Sequence, residues 1–285
     1  MEESKKRKLE VDAEDGGGKK SKGPRKWKVV PKKTDFASAS PSASTVEPGD
    51  SGIWATCSMH KEAKCIAELR DIFNEYTEKL YGHELVNATT AETEEKERDI
   101  ESNIKEEIEV MQTPTAAELF QPVRVDIKCV VFFKTKAPVD PAAFVHSICK
   151  DCLAAANTKK SRWTQRLTPM TLIGKATEKG LEEVSKAVLA PHFHQDGAIS
   201  KKFAIRTTIR NHGSLTRDIV IKQVADTVGP PHTVDLKNYD LLILVEIYRS
   251  LGFQNICGMS VVGSDFDRLK RYNLAEIYEP ISETK

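Results

Sequence analysis

The sequence lacks the long apolar runs that would mark a membrane protein or an exported one. Its longest uninterrupted apolar runs, such as Leu241–Val245, hold five residues, whereas a membrane-spanning helix needs about 20. The chain is charged from Glu2 onward, so we expect no signal peptide. These absences favour a protein that does not interact with membranes.

Motifs for catalysis and for nucleotide cofactors are also missing. The sequence holds no Gly-x-Ser-x-Gly elbow, no Walker motif and no Gly-x-Gly-x-x-Gly loop, and Gly16-Gly17-Gly18 lies in a polar segment away from any predicted strand. Nothing in it is typical of a cradle for S-adenosylmethionine or acetyl-coenzyme A. We therefore predict a protein that is not an enzyme and binds no cofactor.

Cysteine is sparse as well, with six residues in a chain of 285. The only Cys-x-x-Cys pair, Cys149 and Cys152, falls late in an apolar helical pattern, and no second pair completes the four ligands of a structural zinc site. We expect core cysteines, no metal site and reduced thiols, which is typical of the cytosol or nucleus.

Charge is balanced overall, at a formal +1, but it is segregated along the chain. Residues 1–50 are rich in Lys, Gly, Ser and Pro, a composition that predicts a disordered basic tail. The cluster Lys5–Lys8 is typical of a nuclear import signal, although a loose RNA-binding arm and a solvated tail remain open. We expect a nuclear or nucleolar protein, with the cytoplasm as an additional location.

Residues 51–176 have the pattern of a first small α+β domain. A strand at Ile53–Cys57 precedes an amphipathic helix at Lys61–Tyr81, for which Gly82 is the predicted stop. An insertion at about 88–112 is strongly acidic and is predicted to be solvated; shielding of a basic face is an alternative. The predicted elements that follow are a strand at Val123–Phe133, a helix capped by Asp140 and running to Ala156, a strand at Arg162–Thr168 that Pro169–Lys175 extends or turns, and a helix at Glu178–Leu189.

The stretch Lys201–Val228 organises the rest of the chain. Its first ten residues alternate apolar with basic or polar, which predicts a strand with one basic face, and Asn211-His212-Gly213 is turn chemistry. Thr216 is then expected to cap a helix that Gly229 ends. We expect the strand edge, the turn and the helix start to direct positive charge toward one place, which suits an anionic backbone. Strands at Tyr239–Tyr248 and Asn255–Val262, joined by a turn at Arg249–Gly252, and a short helix at Asp265–Ile277 complete the prediction.

Positive charge is concentrated between Lys159 and Lys222, where the sequence contains 13 Lys or Arg and five Asp or Glu. Clustering on adjacent strand and turn positions, with Trp163 among arginines, favours RNA as the partner over DNA, because no recognition helix stands out. Scattered solvated lysines remain the simple alternative. The predicted RNA-binding residues are Lys201, Lys202, Arg206, Arg210, His212, Arg217, Arg162 and Arg166.

Several of these residues carry a resemblance to a known family. Phe203-Ala204-Ile205-Arg206, Arg210-Asn211-His212, Arg217 and Asp235-Leu236 before a buried strand together resemble the THUMP domain. Gly52–Cys57, the helix ending at Tyr81-Gly82 and the strand holding Arg162 and Arg166 look like the ferredoxin-like domain that accompanies it. The terminal Val261-Val262 and Arg271–Leu274 resemble one subfamily, the eukaryotic THUMP adaptors for tRNA cytidine acetylation.

The resemblance covers about residues 51–277 and implies both a fold and a function. It implies an N-terminal ferredoxin-like domain at 51–176, a THUMP domain at 177–277 and a C-terminal tail at 278–285. It also implies binding to the acceptor end of tRNA, and help to a separate RNA cytidine acetyltransferase in making 4-acetylcytidine in serine and leucine tRNAs. Two other readings remain open: an RNA-modifying enzyme in its own right, and a scaffold of the acetyltransferase with no RNA affinity.

Overall fold

The computed structural model describes residues 45–90, 116–123, 125, 127–155, 161–195, 199–210, 212–248 and 255–277. The basic tail up to residue 44, nearly all of the acidic insertion, the predicted turn after Tyr248 and the tail at 278–285 lie outside these residues. The mixed α/β architecture that the sequence predicts is confirmed. The strands are β1 (Ser51–Cys57), β2 (Phe120–Val123), β3 (Val130–Thr135), β4 (Thr164–Met170), β5 (Leu172–Lys175), β6 (Lys202–Arg210), β7 (Thr233–Val234), β8 (Leu241–Tyr248) and β9 (Ile256–Gly263). The helices are α1 (Glu62–Thr90), α2 (Ala116–Leu119), α3 (Pro141–Ala154), α4 (Glu178–Phe193), α5 (Arg217–Val228) and α6 (Leu274–Ile277), with a 3₁₀ turn at Lys270–Tyr272 before α6.

The first sheet is four-stranded, in the order β2-β3-β1-β4, and every pairing in it is antiparallel. Alternation along β1 divides its side chains between two faces. Ile53 and Ala55 pack with the cluster that includes α1 and α3, whereas Trp54 packs with Phe132 and Met170 on the other face. Asp140 caps α3 as predicted, and its Oδ1 accepts from the N–H of Ala142 at 3.0 Å.

The single strand predicted at Val123–Phe133 is wrong, because two strands occupy this region. β2 ends at Val123 and β3 begins at Val130, and the two pair antiparallel with each other. Cys129 has a φ of 62°, a left-handed conformation that an extended strand does not contain. Its N–H donates to Glu62 Oε1 at 3.0 Å, so a carboxylate from α1 holds the chain where β3 starts.

The second sheet is five-stranded, in the order β5-β9-β8-β6-β7. β6 runs parallel to β8 and β7, whereas β9 is antiparallel to both of its neighbours. Leu172–Lys175 does not extend β4; it forms β5 and pairs with β9, so only Thr171 separates the two sheets in the chain. Gly49, near the end of the segment predicted to be disordered, donates to Ile173 O at 2.7 Å, and this backbone pairing orders it.

The two faces of the second sheet are covered by different parts of the chain. α4 and α5 cover one face, where Val184, Val220 and Ile243 belong to one apolar cluster. On the other face, Leu242 and Leu244 belong to the cluster that also contains the core of the first sheet. The two sheets therefore share an apolar core and do not form separate ones.

The C-terminal segment joins these layers, but not as the single short helix predicted at Asp265–Ile277. It forms turns, the 3₁₀ turn and then α6, because Lys270, Arg271 and Tyr272 all have positive φ. Phe266, Leu269, Tyr272, Leu274 and Ile277 are nonetheless all buried. The segment continues the core between the two sheets.

Two glycines predicted to end helices behave differently. Gly229 does end α5, with a φ of 62°, and its N–H donates to Ala225 O at 3.1 Å. Gly82 does not end α1, which continues to Thr90. A Cβ placed on Gly82 would meet only Glu78 Cγ, at 3.9 Å.

Alanine substitutions at these two glycines should therefore change stability in opposite directions. Gly82→Ala is expected to raise the free energy of unfolding by about 0.5–1 kcal/mol, because alanine is the better residue inside a helix. Gly229→Ala should lower it by about 1 kcal/mol, because alanine is strained at positive φ. Urea denaturation of both variants measures the two changes, and a loss of stability in Gly82→Ala would place the end of the helix at Gly82 after all.

Candidate nucleic-acid interface

Strand β6 places its apolar and basic side chains on opposite faces. Phe203, Ile205 and Ile209 pack toward α4 and α5. Arg206 and Arg210 lie on the other face, in register with Leu244 and Tyr248 of β8. The strand and its two-faced character are thus as predicted, and the two arginines share a face.

Arg206 is already paired within the protein. Both of its terminal nitrogens lie 3.4 Å from Asp267 Oδ1, and its guanidinium carbon is 5.3 Å from the centre of the Phe266 ring. Asp267 also accepts from the Tyr239 hydroxyl at 2.7 Å and from Arg271 Nε at 3.0 Å. Burial would raise the pKa of Asp267, but these hydrogen bonds and the charges of both arginines outweigh it, so the pKa lies below its usual range.

Arg210 lies beside a buried carboxylate at the junction of the sheets. Its guanidinium carbon is 5.9 Å from the centre of the Tyr248 ring, and the Tyr248 hydroxyl donates to Glu246 Oε2 at 2.8 Å. The side chain of Glu246 is buried, and burial raises its pKa despite the Tyr248 hydroxyl and the charges of Arg210 and Arg166. Tyr248 also packs on Trp54 of β1, with ring centres 4.5 Å apart.

Arg166, on the first sheet, lies in the neighbourhood of the same carboxylate. It lies on β4, is exposed, and forms a backbone bridge with Asn273 of the C-terminal segment. Arg166 and Arg210 both act on the charge of Glu246, so residues 44 positions apart in the chain lie near one another. Within the described part of the chain, neither has a carboxylate within ion-pair distance, in contrast to Arg206.

His212 and Arg217 lie beyond the same end of β6. His212 is half-buried, and Arg217 is exposed in the first turn of α5. Thr216 caps this helix as predicted, and its hydroxyl accepts from the N–H of Ile219 at 3.4 Å.

Lys201 and Lys202 lie at the opposite end of the strand. Lys201 Nζ donates to His192 O at 2.8 Å, and Lys202 Nζ is 3.2 Å from Asp235 Oδ2. Eight residues of extended chain separate Lys202 from Arg210, which is about 26 Å. The expectation that all these charges point toward one place is wrong, because the length of the strand separates its two basic ends.

Arg162 does not lie on the same strand as Arg166. β4 begins at Thr164, and Arg162 precedes it in a bend; the register shift in the pairing of β4 with β1 falls later, between Thr164 and Leu167. Its backbone N–H donates to Glu68 Oε2 at 2.7 Å, and its guanidinium carbon lies 4.8 Å from the centre of the Trp163 ring. The structure therefore places Arg206 and Arg210 on one face of β6 and Arg166 near Arg210, and it leaves Arg162 with Trp163.

Comparison with known proteins identifies the family. The THUMP domain family model matches residues 175–262. The chain is 36% identical over 259 residues to "tRNA acetyltransferase TAN1" of Saccharomyces cerevisiae, covering 84% of this chain and 88% of that protein. It belongs to the THUMP-domain family. It is also 35% identical over 241 residues to an uncharacterized protein of Schizosaccharomyces pombe, covering 84% of this chain and 80% of that one. Human "THUMP domain-containing protein 1" is 29% identical over 269 residues, which cover 92% of this chain and 72% of the human protein.

The THUMP match confirms the resemblance that the sequence shows, and most of the candidate residues lie within the matched range. Arg206, Arg210, Glu246 and Tyr248 fall inside the matched range, whereas Arg166 lies before it on the first sheet. The junction therefore combines the THUMP domain with the sheet that precedes it. Sequence reasoning missed Glu246, although a single acid inside the apolar run Leu241–Tyr248 is unusual for a buried strand.

The described part of this THUMP protein contains no metal-binding cluster of His, Cys, Asp or Glu, and no helix there is long and apolar enough to cross a membrane. Cys149 and Cys152 are buried in α3, which confirms their assignment to the core. Burial raises the pKa of the Cys149 thiol and raises that of Cys257 to about 11.

Replacing Asp267 tests how Arg206 is held. Asp267→Asn should lower the melting temperature at neutral pH, because the amide carries no charge opposite Arg206 and Arg271. The folded-state pKa of Asp267 is lowered, so its stabilising effect is full above the unfolded value of about 3.9 and is lost as pH falls through the folded pKa. Thermal melts should show the widest gap between native protein and variant at about pH 5–7, and a gap that closes toward about pH 3.

The matched control is Asp226→Asn on α5, because Asp226 forms no ion pair among the described residues. Its melting temperature should differ from the native value by an amount that does not change over the same pH range. A pH-independent gap for Asp267→Asn as well would mean that the pairing with the two arginines contributes nothing to stability.

Proposed function

We propose that this protein is a non-catalytic adaptor that binds tRNA and presents it to a separate RNA cytidine acetyltransferase for 4-acetylcytidine formation. The tRNA-modification setting rests on the THUMP match and on the relative named a tRNA acetyltransferase. Binding at the acceptor end, serine and leucine tRNAs as substrates, and a nuclear or nucleolar location are parts of the same proposal.

The observation that carries the proposal is the position of Arg166 and Arg210 across the sheet junction. Both residues are exposed, and among the described residues neither lies within ion-pair distance of a carboxylate. Tyr248 is buried, and its ring lies under the exposed guanidinium of Arg210. Exposed arginines without an ion-pair partner suit RNA, because guanidinium groups bind its phosphates and stack on its bases.

The shape of the first sheet supports an adaptor with two cooperating domains. Its elements follow the order β-α-β-β-α-β, interrupted only by the short α2, and its strands the order β2-β3-β1-β4. We infer a ferredoxin-like domain from this order. Its last strand, β4, supplies Arg166, so the binding surface depends on both domains.

The non-catalytic part of the proposal is supported by the state of the thiols and by the sequence. Burial raises the pKa of Cys57 to about 11, with Glu62 adding to the effect, and burial likewise raises that of Cys149. Such thiols stay protonated at neutral pH and are poor nucleophiles. The sequence also holds no motif for acetyl-coenzyme A or a nucleotide. The acetyltransferase would supply the chemistry, while this chain raises its effective concentration at the tRNA.

An enzyme is the second candidate, because a relative that is 36% identical is named a tRNA acetyltransferase. The purified chain should leave tRNA unlabelled when incubated with radiolabelled acetyl-coenzyme A and ATP. Adding an RNA cytidine acetyltransferase should produce 4-acetylcytidine, detected by nucleoside mass spectrometry, and omitting this chain should abolish the product. Labelling by this chain alone would make it the enzyme.

Replacing both junction arginines tests the binding surface. Arg166→Ala with Arg210→Ala should weaken tRNA binding and reduce the slope of log affinity against log salt by about 1.4–1.8, because two phosphate contacts are lost. Fluorescence anisotropy with labelled tRNA, titrated across salt concentrations, measures both quantities. Arg206 is left unchanged because its loss would also leave Asp267 with one cation fewer.

The control removes the same charge elsewhere. Lys179→Ala with Lys186→Ala on α4 takes away two exposed cations that pair with Glu183 and Glu182 on the same helix. This control should change the slope little. An unchanged slope in a folded Arg166/Arg210 variant would place the RNA-binding surface elsewhere on the molecule, and thermal melts establish that both variants fold.

A further inference from the structure

Trp163 lies at the centre of a cluster of cations on the first sheet's side of the molecule. Lys61 Nζ is 5.5 Å from the centre of its ring, and Lys64 Nζ and Arg162 Cζ are each 4.8 Å from it. The ring is half-buried, whereas Lys64 and Arg162 are exposed. We call these four side chains the Trp163 cluster.

A carboxylate on α1 fixes the backbone that carries the ring. Glu68 accepts from the N–H groups of Arg162, Trp163 and Thr164 at 2.7, 2.9 and 2.9 Å. Burial would raise the pKa of Glu68, but these three N–H groups outweigh it and lower the pKa. Ser58 adds a bond from its N–H to Trp163 O at 3.3 Å. The backbone that carries the Trp163 ring is therefore held in place without a ligand.

The three cations of the cluster outnumber the two carboxylates near them. Each lies about 5 Å from one ring centre, so any two are at most about 10 Å apart, which is close to the Debye length of about 8–10 Å at about 0.1–0.15 M salt. Among the described residues, none of the three forms an ion pair. The nearby carboxylates accept from backbone N–H groups instead, Glu68 as above and Glu62 from Cys129.

Two lysines beside the start of α1 add to the imbalance. Lys61 immediately precedes the helix and Lys64 lies in its first turn. Cations near the N-terminus of a helix are unfavourable, because the helix dipole is positive at that end. Glu62 in the same first turn offsets part of this effect. Three cations beside the two carboxylates of Glu62 and Glu68 still leave a net positive charge around the ring, which favours an anionic ligand.

We propose that the Trp163 cluster is a second RNA contact, which binds a single-stranded segment by stacking a base against Trp163 and holding its phosphates with Lys61, Lys64 and Arg162. This deepens the proposed function and rests on it, because tRNA would be the physiological ligand. Stacking on aromatic and guanidinium planes together with cationic contacts to the backbone is the usual way in which proteins bind unpaired nucleotides. Trp163 lies three residues before Arg166, roughly 10 Å along extended chain, so one RNA strand can reach both sites.

An acidic protein segment would satisfy the cations but not the ring. A carboxylate pairs with the cations, but it offers no aromatic ring to stack on Trp163. The single-stranded RNA reading uses all four side chains of the cluster.

The test uses the full chain and a short single-stranded oligoadenylate. In a Trp27→Phe background, Trp163 and the buried Trp54 are the remaining tryptophans, so fluorescence quenching on titration reports stacking on Trp163. Trp163→Leu should weaken oligoadenylate binding about ten-fold, and Trp163→Tyr should restore most of the affinity. Lys61→Gln with Lys64→Gln should reduce the slope of log affinity against log salt by about 1.4.

The control is Lys179→Gln with Lys186→Gln, which removes the same charge from α4 and should leave oligoadenylate affinity unchanged. Lys61 and Lys64 lie outside the core, so we expect the Lys61→Gln, Lys64→Gln variant to fold. It therefore still tests the inference if Trp163→Leu fails to fold. Native affinity and slope in folded cluster variants would overturn the inference. So would tighter binding of poly-glutamate than of oligoadenylate without quenching, because that outcome identifies an acidic protein partner.

The same series separates this inference from the proposed function. If the Arg166/Arg210 variant loses tRNA binding while the cluster variants keep it, the inference fails and the adaptor proposal stands. If the native chain binds oligoadenylate through Trp163 but does not bind tRNA, the inference stands and the adaptor proposal fails. Binding of neither ligand by the native chain overturns both.

Discussion

The contact of Tyr248 with both sheets is the interaction on which the arrangement of the molecule depends. Its ring packs on Trp54 of the first sheet, and its hydroxyl donates to the buried Glu246 of its own strand. A buried carboxylate is unfavourable unless hydrogen bonds and charges compensate for lost water. Here the hydroxyls of Tyr248 and Thr208 and the charges of two arginines compensate in part, since burial still raises the pKa of Glu246. The charges of Arg166 and Arg210 thus reduce the cost of burying this acid, although neither forms an ion pair with it.

The balance of charge within the fold decides which cations remain available for a partner. Arg206 and Lys202 both face aspartates of their own chain, so the nearly neutral total charge reflects local pairing in this part of the molecule. Lys61, Lys64 and Arg162 surround an aromatic ring instead. Counting basic residues along a sequence does not distinguish these groups, because pairing depends on which acids the fold brings close.

Much of the fold followed from local patterns, and the errors arose where tertiary contacts override them. Periodicity and capping residues predicted β6, α3 and α5, since alternation and an N-cap hydroxyl or carboxylate act within a few residues. The break before β3 depends on Glu62, 67 positions away, and nothing local to Cys129 reveals it. For the site, alternation predicted that Arg206 and Arg210 share a face. Their different environments depend on Asp267 and Glu246, which come from other strands and segments.

The single residue Thr171 between β4 and β5 has a consequence for how the protein can be divided. β4 completes the first sheet and β5 closes the edge of the second by pairing with β9. A fragment that starts at Lys175, where the THUMP match begins, would lose nearly all of β5 and expose the backbone of β9 as an open, apolar edge. Such a fragment should self-associate, and the two sheets should melt in one cooperative transition because they share a core. The smallest autonomous folding unit is therefore larger than the conserved module it contains.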